Sequence, residues 1–441
     1  MKKLFLIIAL AFGIGLVQTA RAQQDVVAGI PVNYDESQTG DYKATLPDPL
    51  VMLNGKQVKT AKQWYKKRRP EIVRLFEENQ YGKWPAQKPP LRYDIKTDEG
   101  MGGTAVRKQV TLYFCEDKSQ YVNVLIYLPK DANGPVPLLL NLSFFGNSMA
   151  AGEEGILPSV SWDSRTKTRV TQQAGGGFGG GFGGGFGGGR GGGMMTSTIQ
   201  SLLKEGFGFA TFQYTDIDPD FLGGATLGVR SLYLKPGAEE PEPDEWGSIS
   251  AWAWGVSNII DYFETDDDID ATRVAITGAS RLGKTVMWAG AREPRVAMVL
   301  ASCSGEGGAA ISRRIFGETV AHLTEKTRFP YQFAANYAKY AEDVTKLPVD
   351  ANLLVALIAP RPLLLQTGTT DNWSDSKGEF LAAVEGGKVY RLLGKDDLGT
   401  TEMPPADTPI YHTLGYFMHE GGHGTMPIDW EVFLEFMKRY L

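Results

Sequence analysis

A serine among small residues is the first candidate for chemistry in this sequence. It is Ser280, in the run Gly278-Ala279-Ser280-Arg281-Leu282-Gly283-Lys284-Thr285. The stretch before the run predicts a strand and the stretch after it predicts a helix, and such a strand, turn and helix expose a nucleophilic serine above a sheet. The N-terminus of the helix also favours the oxyanion that forms when serine attacks an ester carbonyl. The run therefore predicts a nucleophile elbow, although its spacing, G-x-S-x-x-G, is one residue longer than the usual G-x-S-x-G.

The same residues fit a second pattern, the phosphate-binding loop G-x4-G-K-T. That loop works with a magnesium ion held by its threonine and by an aspartate from elsewhere in the fold. The later predicted strands end in Cys303 or Thr367, and neither residue is acidic. We therefore favour a serine nucleophile over a nucleotide hydrolase.

A serine hydrolase needs a histidine late in the chain as its general base. The four histidines are His322, His412, His419 and His423. The last two belong to His419-Glu420-Gly421-Gly422-His423, which also fits the zinc pattern H-E-x-x-H. That pattern works on a helix, and its two internal glycines, followed by Gly424, make a helix unfavourable. A turn is predicted here, and no metal site.

The elements around these residues alternate between strands and helices. Strands are predicted at 106–114, 121–128, 136–142, 207–213, 273–277, 296–301, 361–366 and near 389–393. Helices are predicted within 60–81, from about 196, at 249–263, 284–291, 378–385 and 430–440, with a mixed helical region up to about 340. Residues 23–60 are expected to wrap the surface as an extended arm. This alternation predicts an α/β fold with a mostly parallel sheet covered by helices on both faces.

Composition excludes several classes of protein. The chain has 441 residues, 42% of them hydrophobic, which is enough to build a sizeable core. Its 45 basic and 51 acidic residues give a net charge of −6 without a basic block, so nucleic acid is not an expected partner. Two cysteines, Cys115 and Cys303, are too few for a disulfide scaffold.

The N-terminus resembles a secretory signal. Lys2 and Lys3 precede an apolar stretch, and Ala20-Arg21-Ala22 has the small residues that a signal peptidase reads. We expect residues 1–22 to be removed and the protein to reach the periplasm or the medium. No later run approaches the roughly 20 apolar residues that span a bilayer, so no membrane association is expected.

Residues 23–441 are predicted to form a single catalytic domain with one disordered insertion at about 174–193. That segment contains GGGFGGGFGGGFGGGRGGG and offers little apolar surface to offset the entropy of ordering it. Contact of its three phenylalanines with a polymer is the alternative interpretation.

Motifs across most of the chain resemble those of the glucuronoyl esterases, carbohydrate esterase family 15, whose elbow reads G-x-S-R-x-G-K. Besides the elbow, the resemblance rests on 64–85, Asp216-Ile217-Asp218-Pro219-Asp220, Asp244-Glu245-Trp246-Gly247, Ala251-Trp252-Ala253-Trp254-Gly255, Gly307-Gly308-Ala309-Ala310, Phe316-Gly317-Glu318-Thr319, Ala359-Pro360-Arg361-Pro362, Asp371-Asn372-Trp373-Ser374-Asp375 and Asp429-Trp430. The resemblance implies an α/β-hydrolase fold, a three-layer sandwich. The glycine-rich insertion is not part of the family pattern.

The resemblance also implies catalytic roles. Ser280 would attack the ester carbonyl, and His423 would take its proton, since His423 has the family's spacing of six residues to Asp429. His419 would then pack the loop. Arg281 would contribute its guanidinium and backbone N–H to the oxyanion hole, with an ion pair that braces the elbow as the alternative.

Three further residues would bind the sugar. The resemblance assigns Lys284 and Glu318 to sugar hydroxyls and Trp373 to stacking on the sugar ring. The alternatives are that Lys284 is a plain surface residue, that Glu318 is a carboxylate on a helix face and that Trp373 packs in the core. Because a uronate ester is neutral, recognition should depend on hydroxyl groups rather than on a carboxylate clamp.

The acid of the triad is where this sequence departs from many members. They carry a glutamate at the position of Cys303, and a neutral thiol cannot stabilise an imidazolium. Asp371, after the penultimate predicted strand, is the predicted acid. Glu306 is the alternative.

The resemblance thus predicts a secreted, monomeric serine esterase that needs no cofactor or metal. Its substrate would be the ester between 4-O-methyl-glucuronate side chains of xylan and lignin alcohols. An acetyl-xylan or other carbohydrate esterase of the same fold is one alternative. The other is an inactive carbohydrate-binding descendant that lost its chemistry with the glutamate.

Overall fold

The computed structural model describes residues 25–171 and 193–441. The predicted signal and, apart from Gly193, the predicted glycine-rich insertion lie outside the described residues. Within the described ranges no helix combines the length and apolar character needed to cross a membrane.

A nine-stranded sheet forms the centre of the molecule. Its strands are β1 (Tyr93–Gly100), β2 (Ala105–Tyr113), β3 (Tyr121–Pro129), β4 (Val136–Ser143), β5 (Gly208–Gln213), β6 (Ile269–Ala279), β7 (Met298–Ser302), β8 (Leu363–Gly368) and β9 (Leu414–His419). They lie in the order β9-β8-β7-β6-β4-β5-β3-β2-β1. The six strands β5, β4, β6, β7, β8 and β9 pair with their neighbours in parallel. At the other edge β3 pairs antiparallel with β5, and β2 and β1 continue the sheet with antiparallel pairs. The predicted mostly parallel sheet is confirmed.

Helices cover the sheet on both faces. They are α1 (Arg69–Asn79), which continues Ala61–Gln63 and a π-helical turn at Trp64–Arg68, α2 (Asn147–Ala151), α3 (Thr196–Lys204), α4 (Ser248–Phe263), α5 (Arg281–Arg292), α6 (Val320–Thr324), α7 (Ala351–Ile358), α8 (Ser376–Leu392) and α9 (Pro427–Tyr440). In the part of the chain that the structure describes, two antiparallel hairpins lie outside the sheet, Val26–Val27 with Ile30–Pro31 and Val160–Asp163 with Thr168–Thr171.

Alternating side chains of the central strands explain the three layers. Leu138 and Leu140 of β4 pack in one core with α4, α5, α7 and α8, whereas Leu139 packs in the opposite core with α3 and α9. Successive residues of a strand point to opposite faces, so a continuously apolar strand needs a cover on both sides. The predicted α/β-hydrolase fold is confirmed in this three-layer arrangement.

One predicted strand is wrong. The stretch near 389–393 belongs to the end of α8, and the last strand is β9 instead. Gly386 and Gly387 lie inside α8 rather than ending it, because the helix packs closely there: a Cβ on Gly386 would lie 2.7 Å from the carbonyl oxygen of Asn352 in α7. The edge strand β1 was not predicted.

The parallel strands bring the candidate chemistry to one edge of the sheet. Ser280 follows β6, Cys303 follows β7, and Asp371 and His423 lie just after β8 and β9. These four strands are consecutive neighbours. Their carboxyl ends therefore place the four residues in adjacent loops.

Candidate active site

Ser280 alone forms the turn between β6 and α5. Its backbone has φ 58° and ψ −125°, a conformation that costs a non-glycine residue energy and is often found at active sites. Its amide donates to the carbonyl oxygen of Ser302 at 2.9 Å, which ties the turn to the end of β7. The geometry is that of a nucleophile elbow, with Ser280 partly exposed at the start of the helix.

Close packing accounts for the two glycines and their unusual spacing. A Cβ on Gly278 would lie 2.7 Å from the carbonyl oxygen of Leu282, and one on Gly283 would lie 2.6 Å from that of Ser302. Only glycine fits at either position. The second glycine is at the third position after Ser280 because that residue of α5 faces the end of β7.

This packing also argues against the phosphate-loop interpretation. A phosphate-binding loop needs several residues between strand and helix to wrap the anion, and here there is only Ser280. Thr285, which would have to face a metal ion, is buried and donates to the carbonyl oxygen of Arg281 at 2.9 Å.

Asp371 and His423 are joined directly. The His423 Nδ1 lies 2.7 Å from Asp371 Oδ2. Burial by itself would raise the pKa of Asp371, but the hydrogen bond and charge of His423 and the hydrogen bonds of Ser374 outweigh it and lower the pKa. An ionised carboxylate only accepts, so Nδ1 donates and Nε2 is left with a lone pair. That is the tautomer a general base needs.

Ser374 supports this pair and was not predicted. Its amide donates to Asp371 Oδ1 at 3.3 Å, and its hydroxyl lies 3.1 Å from His423 Nδ1. The residue thereby fixes the orientation of the carboxylate. The only signal in the sequence is its place within the Asp371-to-Asp375 motif.

The loop that carries His423 is held by backbone bonds and by His419. The amide of Thr370 donates to the carbonyl oxygen of Gly421 at 2.8 Å. His419 is buried, with Nδ1 2.9 Å from Asp429 Oδ2 and Nε2 2.9 Å from the carbonyl oxygen of Gly422. Residues 420–425 are not helical, as predicted, and the two histidines bind different carboxylates. His419 packs the loop.

The two alternative positions for the acid behave differently from Asp371. Burial raises the pKa of the Cys303 thiol, which leaves it neutral beside Asp371 and His423. Glu306 is buried elsewhere and accepts hydrogen bonds from Ser312 Oγ at 2.6 Å and from Tyr337 at 2.9 Å. Its burial raises its pKa to about 8. Of the three, only Asp371 is bonded to His423.

Arg281 is held beside the elbow by Asp220, whose side chain is 8% exposed. Its Nη1 forms an ion pair with Asp220, and its guanidinium lies 4.9 Å from the ring centre of Phe329. Asp220 also accepts from Tyr214 at 2.6 Å and from Gln332 Nε2 at 2.7 Å. The bracing ion pair proposed as an alternative is therefore present. Among the described residues, the other guanidinium nitrogens have no acceptor, so they can still donate to a substrate.

The three predicted sugar-binding residues lie together. Lys284 Nζ is buried 3.8 Å from Glu318 Oε2, and burial lowers the pKa of Lys284 despite the attraction of Glu318. The Glu318 amide donates to the carbonyl oxygen of Trp373 at 2.8 Å. Arg328 joins the group, because its Nη2 lies 2.9 Å from Glu318 Oε1 and its guanidinium lies over the Trp373 ring at 5.3 Å.

The structure does not support the surface alternative for Lys284 or the helix-face alternative for Glu318. Lys284 is not a surface residue, and Glu318 precedes α6 rather than lying on its face. Trp373 is only partly buried, with its ring edge-on to His322 at 5.3 Å. Arg328 and Asp220 were not predicted: Asp220 belongs to the motif 216–220 but had no role assigned, and no motif includes Arg328.

Comparison with known proteins agrees with this architecture. A sequence model of fungal glucuronyl esterases matches residues 241–394. A carbohydrate esterase of an unknown prokaryotic organism is 42% identical over 93% of this chain and 92% of its own length.

Two other proteins extend the comparison. The solved structure of a glucuronoyl esterase from Solibacter usitatus is 40% identical, covers 89% of this chain and 97% of its own, and superposes with a TM-score of 0.81. A 4-O-methyl-glucuronoyl methylesterase of Podospora anserina is 35% identical over 44% of this chain and 42% of its own length.

Proposed function

Because the chain belongs to carbohydrate esterase family 15, the glucuronoyl esterase family, we propose that it hydrolyses the ester between 4-O-methyl-glucuronate side chains of xylan and lignin alcohols. The observation that carries this proposal is the Asp371–His423 pair, joined at 2.7 Å, in the loops that follow strands β8 and β9 at the same edge of the sheet as the Ser280 elbow. Lys284 lies in the first turn of α5 after Ser280 and 3.8 Å from Glu318, and Glu318 bonds to Trp373, two residues after Asp371; all three offer groups suited to a sugar. The enzyme is a carboxylic ester hydrolase. What we propose beyond this is its polymeric substrate and a reaction that passes through an acyl-enzyme.

The first half of the reaction transfers the uronoyl group to Ser280. His423 Nε2 takes the hydroxyl proton as Ser280 Oγ attacks the carbonyl carbon, and Asp371 stabilises the imidazolium that forms. The first backbone N–H groups of α5 have no acceptor within the helix, so the Arg281 amide can donate to the oxyanion. The Arg281 guanidinium adds positive charge. The C–O bond to the alcohol then breaks, and the alcohol leaves with the proton from His423.

The second half returns the enzyme to its starting state. Water replaces the alcohol, His423 takes a proton from it, and the resulting hydroxide attacks the ester of Ser280. Collapse of this second tetrahedral intermediate releases glucuronate and returns the proton to Ser280 Oγ. No cofactor enters either step.

Recognition of a neutral uronate ester relies on its hydroxyl groups. Lys284 can donate to a hydroxyl oxygen, while Glu318 can accept from a hydroxyl and Trp373 can stack on the apolar face of the ring. Arg328 contacts both Glu318 and Trp373 and thereby positions both. Specificity should therefore follow the pattern of sugar hydroxyls more than the alcohol.

A comparison of substrates tests this proposal. We expect methyl 4-O-methyl-glucuronate to be hydrolysed with a much higher kcat/KM than acetylated xylan. The reverse preference would favour an acetyl-xylan esterase. Failure of a fluorophosphonate to label Ser280, together with binding of glucuronoxylan, would favour an inactive carbohydrate-binding protein, because only an activated serine reacts readily.

We propose in addition that residues 1–22 export the protein to the periplasm or the medium. N-terminal sequencing of protein from the native host tests this, and we expect the mature chain to begin at Gln23. Recovery of the intact N-terminus would contradict export by this signal.

A further inference from the structure

Cys303 completes a second constellation at the catalytic edge. Its Sγ, a carboxylate oxygen of Asp371 and a ring nitrogen of His423 all lie within 4.8 Å of one another. It is the single group in the described residues where three side chains of this kind converge so closely. Cys303 is 1% exposed, and the one partner of its thiol is the carbonyl oxygen of Gly424 at a distance of 3.6 Å.

We propose that Cys303, Asp371 and His423 form an inhibitory binding site for zinc. A thiolate, an imidazole and a carboxylate form a donor set that zinc accepts, with ligand distances of about 2.0–2.3 Å. In a tetrahedral site these distances place the ligand atoms about 3.3–3.7 Å apart. His423 Nδ1 and Asp371 Oδ2 are now 2.7 Å apart, so small side-chain rotations would admit the ion between them. Water would take the fourth position.

Charge and access favour the ion. Zinc with one thiolate and one carboxylate gives a neutral site, which suits a buried position. Cys303 and Asp371 are buried, whereas the His423 side chain that meets them is 31% exposed and offers an entry path. The thiol gives up only a weak hydrogen bond when it becomes a ligand.

The proton balance explains why binding would stop catalysis. In the active tautomer of His423 the proton is on Nδ1 and Nε2 has the lone pair. Zinc takes the lone pair of Nδ1, so the ring proton must move to Nε2, which can then no longer accept the Ser280 proton. The Cys303 thiol loses its proton to solvent. With His423 neutral beforehand, about one proton is released for each zinc ion bound.

Cys303→Ser is the variant that tests the site, and Cys115→Ser is its matched control, because Cys115 is the other free thiol. Cys303→Ser should hydrolyse esters within about threefold of the wild-type rate, since Ser280, His423 and Asp371 remain. We expect micromolar zinc to inhibit the wild type and Cys115→Ser, with full recovery on adding EDTA. Half-inhibition of Cys303→Ser should require at least 100-fold more zinc. Equal zinc sensitivity of Cys303→Ser and the wild type would overturn the proposal.

Cobalt(II) provides a readout that does not depend on esterase activity. The wild-type cobalt complex should show the near-ultraviolet charge-transfer band of a thiolate ligand, and Cys115→Ser should keep it. Cys303→Ser and His423→Ala should both lose it. A wild-type complex without that band would refute thiolate ligation even if the enzyme's natural substrate proved different from a glucuronate ester. Calorimetry in buffers of different ionisation enthalpy should give about one proton released for each zinc ion.

Discussion

Replacing Asp371 with asparagine tests whether this carboxylate is the acid of the triad. Asp371 Oδ1 accepts from the backbone amide of Ser374, and Oδ2 accepts from His423 Nδ1. In the variant, the backbone donor would keep the amide oxygen on its side and turn the NH₂ group toward His423. Nδ1 would then have to accept, which leaves the ring proton on Nε2. A protonated Nε2 has no lone pair and cannot take the proton of Ser280.

The size of the effect follows from the geometry. An imidazolium and a carboxylate 2.7 Å apart attract each other by about 6 kcal/mol at an effective dielectric constant of 20. The comparable asparagine variant of a serine protease loses about 10⁴-fold in kcat, or about 5.4 kcal/mol. The Ser374 hydroxyl, 3.1 Å from Nδ1, can act as a substitute acceptor. We therefore expect a loss in kcat of between about 10³-fold and 10⁴-fold.

Steady-state hydrolysis of methyl glucuronate by purified variants is the assay. Glu306→Gln serves as the control and should retain most of the activity, because Glu306 binds Ser312 and Tyr337 instead of His423. Cys303→Glu added to Asp371→Asn should restore part of the rate, since it places a carboxylate beside His423. Near-normal activity of Asp371→Asn together with a collapse in Glu306→Gln would refute the assignment.

Three further predictions concern residues around the triad. Arg281→Ala should lower kcat by about 10²–10³-fold with a smaller effect on KM, and an unchanged kcat would exclude an oxyanion role. Lys284→Ala should mainly raise KM for glucuronate esters and spare an aryl acetate; equal losses on both substrates would make the residue structural. Because burial raises the pKa of Glu306 to about 8, the folded protein binds that proton more tightly than the unfolded chain does between about pH 4.5 and pH 8. Its contribution to stability therefore falls as pH rises through that window, by about 1.4 kcal/mol for each pKa unit, and Glu306→Gln should lose less stability than the wild type between pH 5 and pH 8 in urea melts. Parallel losses in both proteins would count against the shifted pKa.

The sequence predicted the sheet best where strands are buried on both faces. A short, continuously apolar run such as that of β4 is typical of a strand buried on both faces, and both faces of β4 are covered. The edge strand β1 is mostly exposed and charged, so it lacks that signal. The end of α8 was mistaken for a strand because Val389 and Tyr390 favour strands locally, while the packing of Gly386 against α7 is a tertiary contact.

The residues of the site were likewise predicted where regular elements position them and not predicted where irregular segments do. Ser280, Asp371 and His423 are tied to strand ends, and the order of strands brings strand ends together. Asp220 and Arg328 lie in irregular segments between elements, and their contacts with Arg281 and Glu318 depend on how those segments fold over the elbow. No local pattern encodes such contacts. The departure at Cys303 was visible in the sequence, but its closeness to His423 required the structure.

Hydrolysis of methyl 4-O-methyl-glucuronate by Ser280→Ala tests the central claim most directly. The partly exposed elbow residue contributes little packing, so the variant should keep the circular dichroism spectrum and melting temperature of the wild type. We predict that its kcat falls by at least about 10⁴-fold, since loss of the nucleophile removes most of the acceleration of a serine hydrolase. A folded Ser280→Ala variant that hydrolyses the ester at a rate near that of the wild type would contradict acyl transfer through Ser280.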